Sequence, residues 1–448
     1  MHFNIFSRLF SGDERTVLAN KNILATGSFK VLDTLVYLLL VPATLGYLNV
    51  YEYGIWLTIN SVLGWINSFD IGLGNGLRNQ LAEALAKNDF KKGRSLISTT
   101  LVMLIAIMIV LILVVSIAFP YLDNYTIFGT NPEQVPNLNA VIFVSFIIFC
   151  VNFILKIIGN VYLALQLPAI NYGMSTGGHL LSLIIIVILT HVTDGSLLYV
   201  AVAYSIAPTL VYLIAFPITF LGKYKDLSPQ VGLFCKDHVN GLMFMGAQFF
   251  VLQIASIVLF AMTNLIISHH FGPEKVTEYN IAFRLFYLVV NFTMLVLSPM
   301  WSAATDAYTR GDLEWINKSA QKIRKLLFLI GVGLILMVVL SKYIYQIWVG
   351  GEVTVSFGIS TGLAIYVYIL IWSQAYSYFL NGMGKLKIQM INTILMSIIF
   401  YPLCMSFKEF GTLGVVMAMC MVNISGLIVN IIQFNKVISG RATGIWNK

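Results

Sequence analysis

The pattern of apolar residues divides the chain into long hydrophobic runs separated by short polar segments. An α-helix needs about 20 such residues to cross the hydrocarbon core of a bilayer. Twelve runs approach or exceed this length, at 23–48, 54–76, 96–119, 138–165, 170–190, 197–221, 241–268, 281–304, 326–349, 357–382, 388–407 and 411–434. Apolar residues are continuous rather than alternating in Leu101–Val115, which favours helices over barrel strands. We therefore predict an all-α polytopic membrane protein with twelve transmembrane helices.

Composition agrees with a chain that lies mostly in lipid. Of its 448 residues, 58% are hydrophobic and 10% are charged, whereas a soluble domain carries about 25% charged residues. A soluble enzyme and a disordered chain are therefore excluded. The net charge is +8, but its charges are too sparse to form the basic face that a nucleic-acid partner requires. None of the four cysteines lies in a Cys-x-x-Cys spacing, and no metal site is predicted.

The basic residues indicate which helix ends face the cytoplasm, because cytoplasmic loops carry an excess of Lys and Arg. If the N-terminus is inside, the inward segments hold 21 of the 27 Lys and Arg residues. The outward loops then hold two basic and eight acidic residues. We predict that both termini are cytoplasmic.

Two short motifs recur at nearly half the chain length and indicate an internal repeat. Glu52–Ile55 opens the second predicted helix, and Glu278–Ile281 opens the eighth, 226 positions later. Glu83–Phe90 is echoed by Asp306–Leu313, 223 positions later. Since six is an even number of helices, both copies enter the membrane from the same side and form parallel repeats. The predicted order is an N-terminal cytoplasmic segment (1–22), a six-helix lobe (23–221), a basic cytoplasmic linker (222–240), a second six-helix lobe (241–434) and a cytoplasmic tail (435–448).

Five segments carry a resemblance to a known family. They are Glu52–Trp56, Phe69–Asn79 and Leu81–Ala84 in the first half, and Tyr279–Arg284 and Leu380–Lys385 in the second. Together with the helix count and orientation, they resemble the bacterial polysaccharide flippases, the Wzx-like proteins for O-antigen and capsule repeat units. That family lies in the multidrug/oligosaccharidyl-lipid/polysaccharide exporter (MOP) superfamily, which also holds the multidrug-and-toxin (MATE) exporters and the lipid II flippase.

The resemblance implies a MATE-like transporter rather than an enzyme. Such a protein carries an undecaprenyl-pyrophosphate-linked oligosaccharide from the inner to the outer leaflet of the bacterial cytoplasmic membrane. It does so by alternating access of two lobes around a cationic cavity. The implied partners are the lipid-linked glycan, the bilayer and other membrane proteins of polysaccharide assembly. No cofactor is expected beyond a coupling proton or sodium ion.

Six formally charged residues lie inside the predicted helices, where each costs about 2.5–3.5 kcal/mol on insertion scales. They are Lys30, Asp33, Asp70, Lys156, Arg284 and Lys342. Lys342 lies towards the outer end of its helix, so its side chain can reach the interface as an anchor. The others need a partner or a water-filled cavity.

The cations are candidate ligands for the pyrophosphate. Arg284 is the foremost, because its planar fork suits bidentate phosphate contact and because matching family members carry a cation in this motif. Lys156 near mid-membrane, Lys30 in the first helix and Arg78 at the cytoplasmic mouth are the others. Two alternatives stay open: Lys30 and Asp33, three residues apart, could neutralise each other, and Arg78 could be ordinary positive-inside charge.

Asp33 and Asp70 are candidate ion-coupling carboxylates, and Pro42 and Pro299 are candidate gating positions. Asp70 precedes three glycines within 72–76, so helix termination and close packing are the alternative there. A proline removes a backbone hydrogen bond and permits a kink, which serves either a gate or a static shape.

Two other functions stay open. A multidrug exporter of the same superfamily would move organic cations and would need acidic cavity residues, whereas most deep charges here are basic. A membrane enzyme of polysaccharide assembly would need a sizeable outward catalytic loop. The longest such loop, 120–137, contains no His, Lys or Arg. The chain has no P-loop, and we expect transport without ATP hydrolysis.

Overall fold

The computed structural model describes residues 14–66, 73–165, 167–239, 262–351 and 353–447. Regular structure in these ranges is helical throughout. Helices α1 to α9 are Glu14–Tyr47, Val50–Leu63, Leu73–Ala86, Phe90–Ala118, Asn124–Phe128, Leu138–Leu155, Ile157–Ala164, Pro168–Val192 and Leu197–Leu221. Helices α10 to α15 are Met262–Phe271, Pro273–Thr309, Leu313–Val349, Phe357–Gly382, Lys387–Ser406 and Thr412–Ile438.

Nine segments within the described ranges are long and apolar enough to cross a membrane. They are Ala25–Tyr47, Phe90–Tyr121, Leu138–Ala164, Pro168–Val192, Leu197–Leu221, Leu313–Val349, Phe357–Gly382, Lys387–Ser406 and Thr412–Ile438. Each coincides with a predicted span, so the all-α polytopic membrane fold is confirmed. The predicted spans 54–76 and 241–268 include residues outside the described ranges, and 281–304 lies within α11. The count of twelve spans and the cytoplasmic termini stay predictions.

The surfaces of these helices are apolar on the outside as well as the inside. In α4, for example, Leu113, Val114 and Ile117 are 57%, 58% and 70% exposed. A large aliphatic side chain left in water forgoes about 1.5–3 kcal/mol relative to burial. Exposed rows of this kind therefore face lipid, and the chain is a multi-pass membrane protein.

The chain divides into two compact units, Met1–Val251 and Leu252–Lys448. In the first unit, α8 packs against α1, and α9 packs against both α8 and α6. Small residues on α8 permit this close packing. A Cβ atom at Gly178 would lie 2.9 Å from the backbone of Pro208 on α9, and one at Gly173 would lie 3.2 Å from the ring of Phe29 on α1. These glycines of α8 therefore lie where helices meet.

In the second unit, α13 is the central helix and packs against α11, α12 and α15. Tyr366, on the α11 side of α13, is fully buried, with its ring centroid 6.4 Å from that of Phe283 on α11. The other end of the unit is joined to its C-terminal segment. Lys436 Nζ lies 4.0 Å from the ring centroid of Trp446, and Lys385 Nζ donates a hydrogen bond of 2.8 Å to the Asn447 carbonyl.

The helices extend beyond the hydrophobic runs, which corrects the segments expected to be loops at 77–95 and 305–325. Helix α3 continues to Ala86 and α4 begins at Phe90, while α11 continues to Thr309 and α12 begins at Leu313. A hydropathy run ends where the bilayer ends, but a helix satisfies its own backbone and can continue into water until a capping residue stops it.

The two turns between these helices have the same structure, 223 positions apart. Asn88 and Gly311 both have positive φ, 56° and 76°. The next residues, Asp89 and Asp312, are N-caps whose carboxylates each accept a backbone N–H at 2.9 Å, from Lys92 and Trp315. Each Asp also donates its own N–H, at 2.9 Å, to the carbonyl of the alanine five residues earlier. The repeat motif in the sequence therefore specifies a repeated turn.

The predicted linker 222–240, of which the structure describes 222–239, is hydrogen-bonded to the start of α4 in the first unit. Ser95 Oγ donates to the Leu233 carbonyl at 2.9 Å. Ser98 Oγ accepts from the Gln230 N–H and Thr99 Oγ1 from the Cys235 N–H, both at 3.0 Å. Arg94 Nε donates to the Ser228 carbonyl at 2.6 Å. These four hydrogen bonds hold the segment against α4.

Candidate functional site

The first unit contains a pair of ionisable side chains held between two membrane-spanning helices. Nδ1 of His179 on α8 lies 2.7 Å from Oδ1 of Asp33 on α1. The side chains are 31% and 33% exposed, so both are half-buried. Thr176, one turn before His179, donates to the Phe29 carbonyl at 3.2 Å, one turn before Asp33. The glycine-lined contact between α1 and α8 thus brings the pair together.

The two side chains have complementary hydrogen-bonding capacity. A carboxylate only accepts hydrogen bonds, whereas a neutral imidazole has one N–H donor and one acceptor nitrogen. An added proton converts the pair to an imidazolium–carboxylate ion pair. The ring of Tyr37 lies 5.9 Å from that of His179, measured between centroids, and covers one side of the imidazole.

His179 is the functional candidate that the sequence reasoning missed. It is the one histidine of six that lies inside a predicted span, and that isolation was the available signal. Its partner is 146 residues away, so no spacing pattern connects the two. The alternative that Lys30 neutralises Asp33 is replaced by this contact between helices, and the Lys30 side chain is exposed on α1.

The other cations of the first unit have different positions. Lys156 is exposed at the junction between α6 and α7, where the run predicted as one continuous helix is interrupted. Its N–H still bonds the Asn152 carbonyl at 2.9 Å, so the interruption is a local loosening rather than a loop. Arg78 is exposed on α3. Asp70 lies outside the described residues.

The candidate gating prolines lie in helices that do not break. Helix α1 runs through Pro42, and α11 runs through Pro299. Near Pro42, the Thr44 hydroxyl donates to the Leu40 carbonyl at 2.6 Å and lies 2.9 Å from the Tyr204 hydroxyl on α9. These contacts stabilise the proline turn of α1, which supports static shape at this position in the first unit.

In the second unit, Arg284 is half-buried on α11 beside a row of aromatic rings. The row consists of Tyr279, Phe283 and Tyr287, each four residues from the next, with ring centroids 5.6 and 4.9 Å apart. Rings at this spacing lie on one face of the helix. Arg284 therefore follows one member of this aromatic row, Phe283, within the predicted span 281–304.

A seam of uncharged polar side chains joins α13, α14 and α15, and sequence reasoning did not single it out. Asn430 Nδ2 donates to Ser373 Oγ at 3.1 Å, Asn392 Nδ2 donates to Ser425 Oγ at 3.3 Å, and the hydroxyl of Ser377 donates to Gln389 Oε1. Hydrogen bonds of this type hold helices together in lipid. Among the described residues, no group of three or more His, Cys, Asp or Glu side chains is arranged to hold a metal ion.

Comparison with known proteins assigns this architecture to a class. The MatE family model matches residues 249–406. A solved multidrug-resistance MATE transporter of the MOP superfamily, in its inward-facing conformation, superposes with a TM-score of 0.71 at 14% identity, covering 93% of this chain and 95% of that one. A MOP-superfamily transporter from Pyrococcus furiosus superposes with a TM-score of 0.59 at 14% identity, covering 98% of both chains. These likenesses define the fold as that of MATE transporters.

Two curated relatives are similar over most of their length. A protein of Yersinia pseudotuberculosis, provisionally named an O-antigen export protein, is 24% identical over 361 residues, which are 78% of this chain and 79% of that one. A protein of Salmonella typhimurium, provisionally named an O-antigen transporter, is 21% identical over 385 residues, 83% of this chain and 85% of that one. The chain is therefore similar to O-antigen transporters by sequence and to MATE transporters of the MOP superfamily by fold. The resemblance to its Wzx-like members is confirmed.

Proposed function

We propose that this transporter is a flippase for an undecaprenyl-pyrophosphate-linked oligosaccharide, which it moves from the inner to the outer leaflet of the bacterial cytoplasmic membrane. The relatives named for O-antigen transport support this substrate class. The observation that carries the proposal is the set of cations at membrane depth, exposed at Lys30 and Lys156 and half-buried at Arg284.

The physical task is to move a pyrophosphate and its sugars through about 30 Å of hydrocarbon. A wet cavity lined by cations removes the desolvation cost of the anionic head, while the polyprenyl tail stays in lipid. We propose each of Arg284, Lys156 and Lys30 as a contact of the pyrophosphate during transport, and Arg78 as its contact at the cytoplasmic mouth. Neutral polar side chains suit the sugars, because hydroxyl and amide groups exchange hydrogen bonds with sugar hydroxyls.

The membrane potential favours this direction of transport. Each charge that crosses 100 mV is worth about 2.3 kcal/mol, and an anion that leaves a negative interior moves downhill. Forward transport then needs no ATP. We assign the reset of the empty carrier to the Asp33–His179 pair, with a proton as the coupling ion. The imidazole adds a second proton acceptor at the carboxylate but no oxygen ligand for a sodium ion.

The rival function is export of organic cations. In the described parts of the predicted spans, Asp33 is the one acidic residue against four basic ones, which favours an anionic cargo. An enzyme is disfavoured because the relatives are named as transporters.

The test compares Arg284→Ala and Lys156→Ala with Lys342→Ala, a matched loss of an intramembrane cation near the outer interface. We expect the first two variants to lose surface glycan and to accumulate its lipid-linked precursor, with unchanged drug sensitivity. Lys342→Ala should retain surface glycan. Intact glycan with altered drug sensitivity in the first two variants would identify an exporter instead. A requirement for ATP hydrolysis in reconstituted vesicles would contradict the energetic argument.

A further inference from the structure

An apolar groove of about 540 Å³ lies between α12 and α13 in the second unit. One wall is a stripe of α12 that includes Phe328, Val332, Ile335 and Val339, and the facing wall is α13 from Phe357 to Tyr368. The stripe residues are three or four positions apart and so share one face of the helix. The volume of the groove falls in the range of about 300–1,000 Å³ that is typical of small-molecule sites.

The groove forms because α12 and α13 touch closely along one side and separate beside that contact. A Cβ atom at Gly331 would lie 2.9 Å from the ring of Tyr368, so the helices touch at this point. On the groove side, Val332, Ile335 and Val339 are 55%, 65% and 63% exposed. The aromatic wall is stiff, because the ring of Phe328 packs edge-on against that of Trp372, with centroids 5.4 Å apart.

Charge is distributed unequally along the stripe. Arg324 and Lys325 lie four and three residues before Phe328, on the continuation of the same face, and are half-buried and exposed respectively. None of the ion pairs found between described residues includes either side chain. The two cations therefore lie at the end of the groove where the apolar run of α12 begins. The positive-inside pattern assigns this end of the groove to the cytoplasmic interface.

We propose that this groove binds one acyl chain of an anionic phospholipid of the adjacent leaflet, with the lipid phosphate at Arg324 and Lys325. Basic sites between membrane helices on the cytoplasmic side suit anionic head groups. From Phe328 to Val339 the groove follows α12 for about 16 Å at 1.5 Å per residue, roughly half of the ~30 Å hydrocarbon core. That is the depth of one leaflet, which fits a phospholipid acyl chain rather than a longer polyprenyl chain.

The proposal is independent of the flippase assignment, because the site lies on the lipid-facing side of two helices. The test uses the full-length protein, purified and exchanged into detergent micelles that contain phosphatidylglycerol or phosphatidylcholine. Retained lipid is counted by native mass spectrometry. Arg324→Gln with Lys325→Gln removes the head-group contacts, and Val332→Trp fills the groove. The matched controls are Lys318→Gln with Lys322→Gln, which lie ten and six residues before Phe328 on α12 and so further from the groove, and Leu329→Trp, a 68% exposed neighbour outside the groove.

The wild type should retain phosphatidylglycerol in preference to phosphatidylcholine. Each basic residue near an anionic head group contributes about 1 kcal/mol, so loss of both should weaken phosphatidylglycerol retention about thirtyfold. Val332→Trp should abolish retention of one lipid, and both controls should match the wild type. Equal retention of the two phospholipids would overturn the head-group assignment. If the groove holds a polyprenyl phosphate that Val332→Trp displaces, the proposed occupant is wrong. If lipid is lost in Lys342→Gln but not in the Arg324 and Lys325 variant, the proposed orientation of the lipid is wrong.

Discussion

Nδ1 of His179 lies 2.7 Å from Oδ1 of Asp33, although 146 residues separate them along the chain. The contact joins α1 to α8 within their membrane-spanning segments. It gives each side chain a hydrogen-bond partner that water would otherwise have to supply. A hydrogen bond to a charged group contributes about 1.5–3 kcal/mol. Loss of either partner therefore affects both the geometry of the helix pair and its ability to carry a proton.

We expect His179→Phe to lower transport about tenfold or more, because the ring is retained but the proton acceptor is lost. His179→Gln keeps a hydrogen-bonding side chain beside Asp33, so it should keep the packing and the protein level but not proton coupling. Surface glycan in a strain that lacks the wild-type gene measures transport, and immunoblotting of membranes measures the amount of protein.

Thr34→Val is the matched control for this pair. Thr34 follows Asp33 and its hydroxyl donates to the Lys30 carbonyl at 2.9 Å on an exposed part of α1. This variant should transport like the wild type. Full transport by His179→Phe, with an unchanged response to collapse of the proton gradient, would show that the pair is structural.

Glu278, in the second copy of one repeat motif, has a structural role in the second unit. The residue is 5% exposed. Its Oε1 accepts the Ser356 N–H at 2.9 Å and its Oε2 accepts from Lys275 Nζ at 2.8 Å. Glu278→Ala should destabilise the protein by about 1–3 kcal/mol, since the Ser356 N–H is left without its acceptor. Thermal unfolding of the purified protein measures the effect.

Glu274→Ala is the control, because Glu274 is an exposed acid one turn earlier on α11. Its removal should leave the unfolding temperature unchanged. Equal unfolding temperatures for the two variants would contradict the assigned role of Glu278. Glu278→Gln should lose less stability than Glu278→Ala, because an amide oxygen can still accept the Ser356 N–H.

The spans could be predicted from sequence because each is a property of a continuous stretch of chain. The length of an apolar run decides whether a helix can cross a bilayer, and nine segments of the described residues coincide with predicted spans. The turn motif was equally local. Asp89 and Asp312 cap helices within three residues of themselves, so their spacing appears directly in the repeat.

The candidate site was less predictable because it depends on contacts between distant residues. Lys30 was the natural partner of Asp33 by spacing, but the glycines of α8 allow α1 to approach and place His179 there instead. The depth predicted for Lys156 assumed a continuous helix, whereas the structure interrupts the helix at that residue. Hydropathy does not report such an interruption, because the residues on both sides are equally apolar.

The repeated turn predicts an asymmetric tolerance at Gly311. Its φ of 76° lies in the left-handed region, which costs most residues about 1–2 kcal/mol. The equivalent residue of the first unit is Asn88, with φ of 56°. Gly311→Asn should therefore unfold close to the wild-type temperature, whereas Gly311→Val should lose about 1–2 kcal/mol or more. Arg310→Ala, at the exposed preceding residue, controls for loss of a surface side chain; similar stability of Gly311→Val and Arg310→Ala would refute the backbone argument.

The fastened segment 222–239 predicts a protease-resistant connection. Ser98 and Thr99 accept the backbone N–H groups of Gln230 and Cys235, and each such bond contributes about 0.5–1.5 kcal/mol. Ser98→Ala combined with Thr99→Val should release the segment and speed tryptic cleavage at Lys223, Lys225 or Lys236 about tenfold, because cleavage follows local opening. Thr100→Val is the control, since the Thr100 hydroxyl bonds only the Leu96 carbonyl within α4. If the double variant and Thr100→Val are cleaved at the wild-type rate, the bonds from Ser98 and Thr99 do not hold the segment. Its position then depends on the bonds of Arg94 and Ser95 and on the packing of Leu227 near Gly93.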